Sequence, residues 1–372
     1  MAKSLQAQGQ TVYNLASGEP DMEPVAAIRE AAAQAAMAGH SKYTQVSGTL
    51  ALRQAVTRAL LRDQGLSYQP DQIVISSGAK HALFNAFQCL LNPGDEAILP
   101  APYWVSYPEQ IKLAGGRSVI VPAAVEEGYK LTPHSLQQAL SPHSRLLVLN
   151  SPNNPTGAVY SEEELRALVG LALEHGLTII SDEVYQQVLY PPARHVSPAS
   201  LSAAAFQSTA VISGVSKSYA MTGWRIGYLA SADRALIQAA TALQSQTSGN
   251  PTAVAQRAAE VAWDLPAEAT RHQLAAFTSR RQRVLAAFDG VAGVVMVPPA
   301  GALYGFLSIL GCLRRWHEQS ADAFCERLLT EQGVAVVPGS AFGAPDAIRF
   351  SFAVADEVLT AALTRLVEAL RR

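Results

Sequence analysis

Short apolar runs alternate with helical patterns from about Gln72 to Leu243. The runs are IVIS at 73–76, EAILP at 96–100, RSVIVP at 117–122, RLLVLN at 145–150, LTIIS at 177–181, TAVIS at 209–213 and RIGYLA at 225–230. Most are apolar along their length instead of alternating with polar residues, as expected of strands covered on both faces. Helical stretches lie between several of them. One opens with Ser161 and Glu164 at capping-box spacing, just before Leu165, Leu168, Val169 and Ala172. The pattern predicts an α/β fold whose large domain is a mostly parallel seven-stranded sheet sandwiched by helices.

Two long helical stretches follow, from about Pro251 to Val284. The rhythm then changes to VVMVP, ALYGFLSI, a helix near 320–332, VAVVP, IRFSF and a last helix to Arg372, which reads as a smaller α+β unit. A short strand, TVYNLA at 11–16, has no nearby partner and is expected to pack with that unit, because chain termini are often neighbours. The predicted division is a large domain over 28–280 and a small domain made of 1–27 with 281–372. Val291 to Leu313 carries no charged side chain and meets the ~20 residues a bilayer span needs. Pro298, Pro299 and Gly301 break it in the middle, so two strands joined by a turn are expected there.

Composition narrows the partner. The chain has 372 residues, 49% hydrophobic and only 16% charged, against a usual ~25% charged, so much of its surface is expected to be buried in a large fold or an oligomer. Its 28 Lys and Arg against 30 Asp and Glu leave a formal charge of −2. That balance argues against a nucleic acid or anionic membrane held by bulk charge, and for a small molecule. Cys89, Cys312 and Cys325 lie far apart, which supports neither a disulfide framework nor a zinc knuckle and fits a reducing cytoplasm. The start, MAKSLQAQGQTV, has no apolar core of a secretory signal.

In open α/β sheets ligands bind beyond the carboxyl ends of the strands, so the loops there carry the candidate chemistry. Ser76-Ser77-Gly78-Ala79-Lys80 joins a strand to a helix. Small residues and a helix N-terminus suit an anion such as phosphate, though a tight turn explains them equally. No P-loop or G-x-G-x-x-G pattern occurs. Tyr103 and Trp104 follow the next strand, as ring platform or as core. Ser151 to Gly157 then forms a rigid polar loop with two amides, Asn153 and Asn154. LTIIS delivers Asp182, with Tyr185 three residues on, and an acid after an apolar run is costly without a partner unless it caps a helix. Lys217 ends another apolar strand without nearby carboxylates, where desolvation favours the neutral amine a Schiff base needs; a structural lysine is the other reading. Arg225 can pair with a phosphate, and Arg349, among apolar neighbours, can clamp a carboxylate. Together these supply what pyridoxal 5'-phosphate requires: an amine, an acid for the ring nitrogen, donors for the ring hydroxyl, an aromatic face and an anion site.

The sequence resembles the fold-type I pyridoxal phosphate aminotransferases, and within them the class-I branch of prokaryotic-type aspartate and prephenate aminotransferases. The motifs are LASGEPD at 15–21, SSGAKHALFNAF at 76–87, NPGDE and APYWVSYPE within 92–109, NSPNNPTGAVY at 150–160, SDEVY at 181–185 and SKSYAMTGWRIGY at 216–228. The resemblance implies that Lys217 binds the cofactor aldehyde and moves the proton between substrate Cα and cofactor C4′, and that Asp182 keeps the ring nitrogen protonated. Asn154 and Tyr185 would bond the ring hydroxyl and Trp104 would stack on the ring. Gly78, Ala79, Lys80 and Arg225 would surround the phosphate, with Ser213 and Ser216 near. Tyr43, in SKYTQVSG, matches the residue that reaches the neighbouring subunit's phosphate, which implies a homodimer with shared active sites. Arg349 would bind the substrate α-carboxylate, beside the Gly18 backbone.

Two departures stand out. Gly214 occupies the position where many relatives carry a phosphate-binding Ser, and the chain is expected to start inside the first helix of its relatives, at AKSLQAQG. The expected reaction is ping-pong transamination between an amino acid and a 2-oxo acid. An aromatic or broad-specificity aminotransferase, a lyase on the same scaffold and, least of all, a non-enzymatic cofactor-binding regulator are the alternatives. Aspartate or glutamate needs a second cation for its distal carboxylate. One branch of relatives uses an arginine from the partner subunit, but Ser245 stands at that position here. Lys80 is the replacement that the prokaryotic-type branch implies.

Overall fold

The computed structural model describes Ser4, Ala7 and residues 9–372. The expected helical start at AKSLQAQG therefore lies outside the described residues except at Ser4, Ala7 and Gly9. A short strand, β1 (Tyr13–Asn14), precedes the main sheet. That sheet holds β2 (Ile73–Ser76), β3 (Glu96–Ala101), β4 (Arg117–Pro122), β5 (Ser144–Asn150), β6 (Thr178–Asp182), β7 (Thr209–Gly214) and β8 (Gly227–Ser231). Its order is β2-β8-β7-β6-β5-β3-β4. All seven expected runs form strands. β8 runs antiparallel to both β2 and β7, while the remaining pairs are parallel.

Successive residues of each strand feed opposite cores, as the two-residue pleat requires. Leu146, Val148 and Ile180 join Phe87 and Tyr107 on one face. Leu147, Leu149 and Ile179 join Leu165 and Leu168 on the other. Full burial of each such side chain stabilises the fold by ~1.5–3 kcal/mol. The helix Glu162–Glu174 over the second face carries the expected capping box, with Ser161 Oγ accepting from Glu164 N and Glu164 Oε2 accepting from Ser161 N.

Beyond the helices Ala253–Asp264 and Arg271–Phe288 lie β9 (Val295–Met296), β10 (Tyr304–Ser308), β11 (Val334–Ala335), β12 (Val337–Pro338) and β13 (Ala347–Ser351). β12, β13, β10 and β9 form an antiparallel sheet in that order, and β11 pairs parallel with β1, so the orphan N-terminal strand does pack beside the C-terminal elements. A core of Phe277, Phe350, Phe352, Leu359 and Leu366 holds this sheet to the helices Arg271–Phe288 and Asp356–Arg371. The uncharged stretch 291–313 forms β9 and β10, then enters a helix, Leu310–Trp316, that the two-strand reading did not include. Among the described residues no helix is long and apolar enough to cross a membrane.

The antiparallel course of β8 brings a further segment to the rim of the sheet. Gly227 at its start pairs with Ser76 at the end of β2 and with Gly214 at the end of β7. The segment entering β8, which carries Arg225, is thereby delivered to the same rim as the loops leaving the parallel strands.

Candidate active site

Asn150 and Asp182 are register partners at the ends of β5 and β6. Asn150 shapes the loop after it: its Nδ2 donates to Asp182 O at 3.0 Å and its Oδ1 accepts from Asn154 N at 2.8 Å. Asp182 is buried and caps no helix. Its Oδ2 accepts from Tyr107 Oη at 2.6 Å and its Oδ1 from Val184 N at 3.2 Å. Burial pushes its pKa up from 3.8 to about 6, the two donors opposing the rise only in part. The next residue, Glu183, faces elsewhere and is held by Ser181, Ser197 and His195.

Lys217 follows β7, and its Nζ donates to Gly18 O at 2.5 Å. Burial lowers its pKa from 10.5 to about 8; Glu19 opposes the shift, and Arg225 and Arg349 add to it. Gly18 leaves the space that the Tyr304 hydroxyl occupies, since a Cβ there would overlap it. Across the cavity Arg349, on β13, donates from Nη1 to Asn154 Oδ1 at 3.0 Å and from Nη2 to Ala16 O at 2.7 Å. Its guanidinium lies 4.6 Å from the Tyr304 ring centre and 4.9 Å from that of Phe342. Its Nε is buried with no partner among the described residues.

Another wall of the site lies at the turn after β2. Gly78, at φ +88°, precedes the helix Ala79–Leu90, and a Cβ there would overlap the Arg225 guanidinium. Arg225 is held by Thr222 O at 2.8 Å and Ser77 O at 3.4 Å, and its side chain lines the cavity. Lys80 Nζ sits 4.9 Å above the Trp104 ring, and Tyr107 meets that ring edge-on at 5.4 Å.

Gly18, Ala79, Lys80, Trp104, Asn154, Asp182, Tyr185, Ser216, Lys217, Arg225 and Arg349 all line one cavity of about 480 Å³. Residues more than 300 apart in sequence thus meet. Ser213 does not join them, contrary to expectation: it shares the β7 face of Val211, and its hydroxyl donates to Glu183 O at 3.2 Å. Gly78 stands behind the cradle without lining the cavity, and Tyr43 is outside it, 98% exposed. A Cβ on Gly214 would lie 2.8 Å from Ile226 O and 3.0 Å from Gly227 Cα, which accounts for glycine at this position. Sequence reasoning missed Tyr107, Asn150, Tyr304 and Phe342. For Tyr107 a signal existed, three residues after Trp104, in the first turn of the helix Ser106–Leu113.

A buried lysine of depressed pKa, a buried acid and a buried arginine share one cavity at the rim of an α/β sheet, the setting of an enzyme site. The chain belongs to the aminotransferase class I and II family, whose model matches residues 10–366. It is 44% identical to the aspartate aminotransferase of Geobacillus stearothermophilus, over 98% of this chain and 93% of that one. It is 42% identical to the aspartate/prephenate aminotransferase of Cereibacter sphaeroides, over 98% and 92%. Among solved structures, the aspartate aminotransferase of Rhizobium meliloti superposes with a TM-score of 0.95 at 36% identity, covering 100% of this chain and 94% of that one. That of Thermus thermophilus with maleate gives 0.92 at 39%, covering 99% and 94%.

Proposed function

We propose that the protein transfers amino groups between aspartate or glutamate and a 2-oxo acid in a ping-pong cycle, with pyridoxal 5'-phosphate as cofactor. The observation that carries the reading is that Lys217, Asp182 and Arg349 face one cavity from three separate elements. The donor set fits the cofactor. Asp182 is a buried carboxylate whose contacts are a phenol and an amide, so it would hold a protonated ring nitrogen, the cation it otherwise lacks. The backbone turn at Gly78 with Arg225 suits a phosphate, and Asn154 with Tyr185 suits a ring oxygen. When bound, the cofactor supplies the electron sink that makes the substrate Cα–H acidic.

The residues of the chain do the rest. Lys217, its pKa lowered to about 8, takes the Cα proton as a base and returns it as an acid. Arg349 fixes the α-carboxylate so that the Cα–H is presented to Lys217. Lys80, exposed at the mouth over Trp104, contacts the distal carboxylate. Ser245 supplies no cation, and its hydroxyl makes a local bond to Ala242 O at 2.7 Å. The same reading takes the enzyme as a cytoplasmic homodimer in which Tyr43 reaches the partner's phosphate, with a cofactor-binding domain over 28–280 and a small domain from 1–27 with 281–372. The test is a product balance with aspartate and 2-oxoglutarate. Equimolar oxaloacetate and glutamate are expected; ammonia release in place of glutamate would make the enzyme a lyase.

A further inference from the structure

Tyr304 belongs to none of the roles assigned above, yet it touches three of the groups that carry them. It lies on β10, diagonal to Arg349 on β13: Tyr304 pairs with Ser351, and Phe306 pairs with Arg349. The diagonal places both side chains on one face of the small sheet. Its hydroxyl is 2.7 Å from that of Tyr185, and the two rings meet edge-on at 5.8 Å. Its ring carries the Arg349 guanidinium at 4.6 Å. The missing side chain of Gly18 makes room for its hydroxyl, and Gly18 O receives Lys217. Both phenols are buried and line the cavity.

Each phenol has one hydrogen, and among the described residues each hydroxyl bonds only the other. One hydrogen closes the pair and the second remains for the cavity. When Tyr304 donates to Tyr185, the Tyr185 hydrogen points to whatever oxygen lies beside it. Accepting a bond also makes that hydroxyl a stronger donor.

Resting on the function proposed above, we propose that Tyr304 is a positioning residue with two separable actions. Its hydroxyl orients and strengthens Tyr185 as a donor to the cofactor ring oxygen, and its ring face holds Arg349 in the plane that receives the substrate carboxylate. The first action stabilises negative charge on the ring oxygen and loosens that oxygen's hold on the proton it shares with the Lys217 nitrogen. Loss of the hydroxyl therefore raises the pH at which this proton leaves. The second action depends on the aromatic face alone and survives replacement by Phe.

The experiment titrates the near-visible absorbance of the cofactor-loaded protein for wild type, Tyr304→Phe, Tyr185→Phe and the double variant, and measures maleate binding by quenching for wild type, Tyr304→Phe and Tyr304→Leu. Tyr304→Phe should raise the titration midpoint by about 0.3–1 pH unit and leave maleate affinity within twofold. Tyr185→Phe should raise the midpoint further, and the double variant should match Tyr185→Phe, because the upstream hydroxyl then has nothing to act through. Tyr304→Leu should weaken maleate about 3- to 30-fold; Tyr304→Phe, nearly isosteric, keeps the test valid if the Leu variant folds poorly. A Tyr304→Phe midpoint equal to wild type, while Tyr185→Phe shifts it, overturns the hydroxyl role and leaves the aminotransferase reading intact. Additive shifts in the double variant overturn it too. Absence of a near-visible chromophore in wild type would defeat both the inference and the function beneath it.

Discussion

Asp182→Asn tests the electrostatics of the site without requiring turnover. In the cofactor-free protein Asp182 is a buried carboxylate whose pKa is raised from 3.8 to about 6. A group that holds its proton more tightly folded than unfolded lowers stability as pH rises between those values, and the penalty is complete above the folded pKa. Two units correspond to about 3 kcal/mol at 1.36 kcal/mol per unit. Asparagine is neutral at every pH and removes that penalty. It keeps one acceptor for Tyr107 but turns an NH₂ toward Val184 N–H, at a cost of about 1 kcal/mol. The cofactor-free variant should therefore exceed wild type by about 1–2 kcal/mol at pH 8 and lose the slope between pH 4 and 6. Urea midpoints of the cofactor-free proteins at fixed protein concentration, at pH 4.5, 6 and 8, measure this. The same variant should have lost nearly all transamination, a stability gained at a functional site's expense. A variant less stable than wild type at pH 8, with the wild-type pH slope retained, would refute the assignment of Asp182 as an uncompensated buried charge.

Lys80→Ala should lower kcat/KM for aspartate by about 10- to 1000-fold while sparing alanine and phenylalanine, as expected for one lost charged contact; an equal fall for all donors assigns Lys80 to the phosphate. Arg349→Lys keeps the charge but not the fork that meets Asn154 and Ala16, so kcat/KM should fall about 10- to 100-fold for every amino acid alike, and an effect confined to dicarboxylates would place Arg349 elsewhere. Gly214→Ser presses a Cβ against Ile226 O, predicting a loss of about 1–3 kcal/mol in thermal or urea unfolding and no gain in cofactor affinity; a stabilised variant would show that strand ends there give way.

What could be read from the sequence follows physical lines. The apolar runs announced the large sheet because most of its strands are buried on both faces, the edge strand β4 being the exception with Ile120 exposed. The loops at the carboxyl ends held the candidate chemistry because ligands bind at that rim of an open α/β sheet. The direction of β8 was not readable, since an apolar strand looks alike whether its neighbours run with it or against it. Ser213 was placed at the right strand end and on the wrong face, a one-residue ambiguity inherent in a two-residue pleat. The helix Leu310–Trp316 was concealed by an uncharged stretch that continues from β10 into Leu313. Tyr304 and Phe342 are buried aromatics that nothing in the sequence marks as part of a site. Their place beside Arg349 arises only when β10 and β13 pair, which no local signal encodes.

Every role proposed for the cavity depends on Lys217 being the residue that holds the cofactor. Incubation with pyridoxal 5'-phosphate, reduction with borohydride and mass mapping of the digested protein identify that residue. One stoichiometric adduct is expected, on the peptide containing Lys217, together with a near-visible band that shifts when aspartate is added and is absent from Lys217→Ala. An adduct on Lys80 or another lysine instead, or identical spectra for wild type and Lys217→Ala, would contradict it.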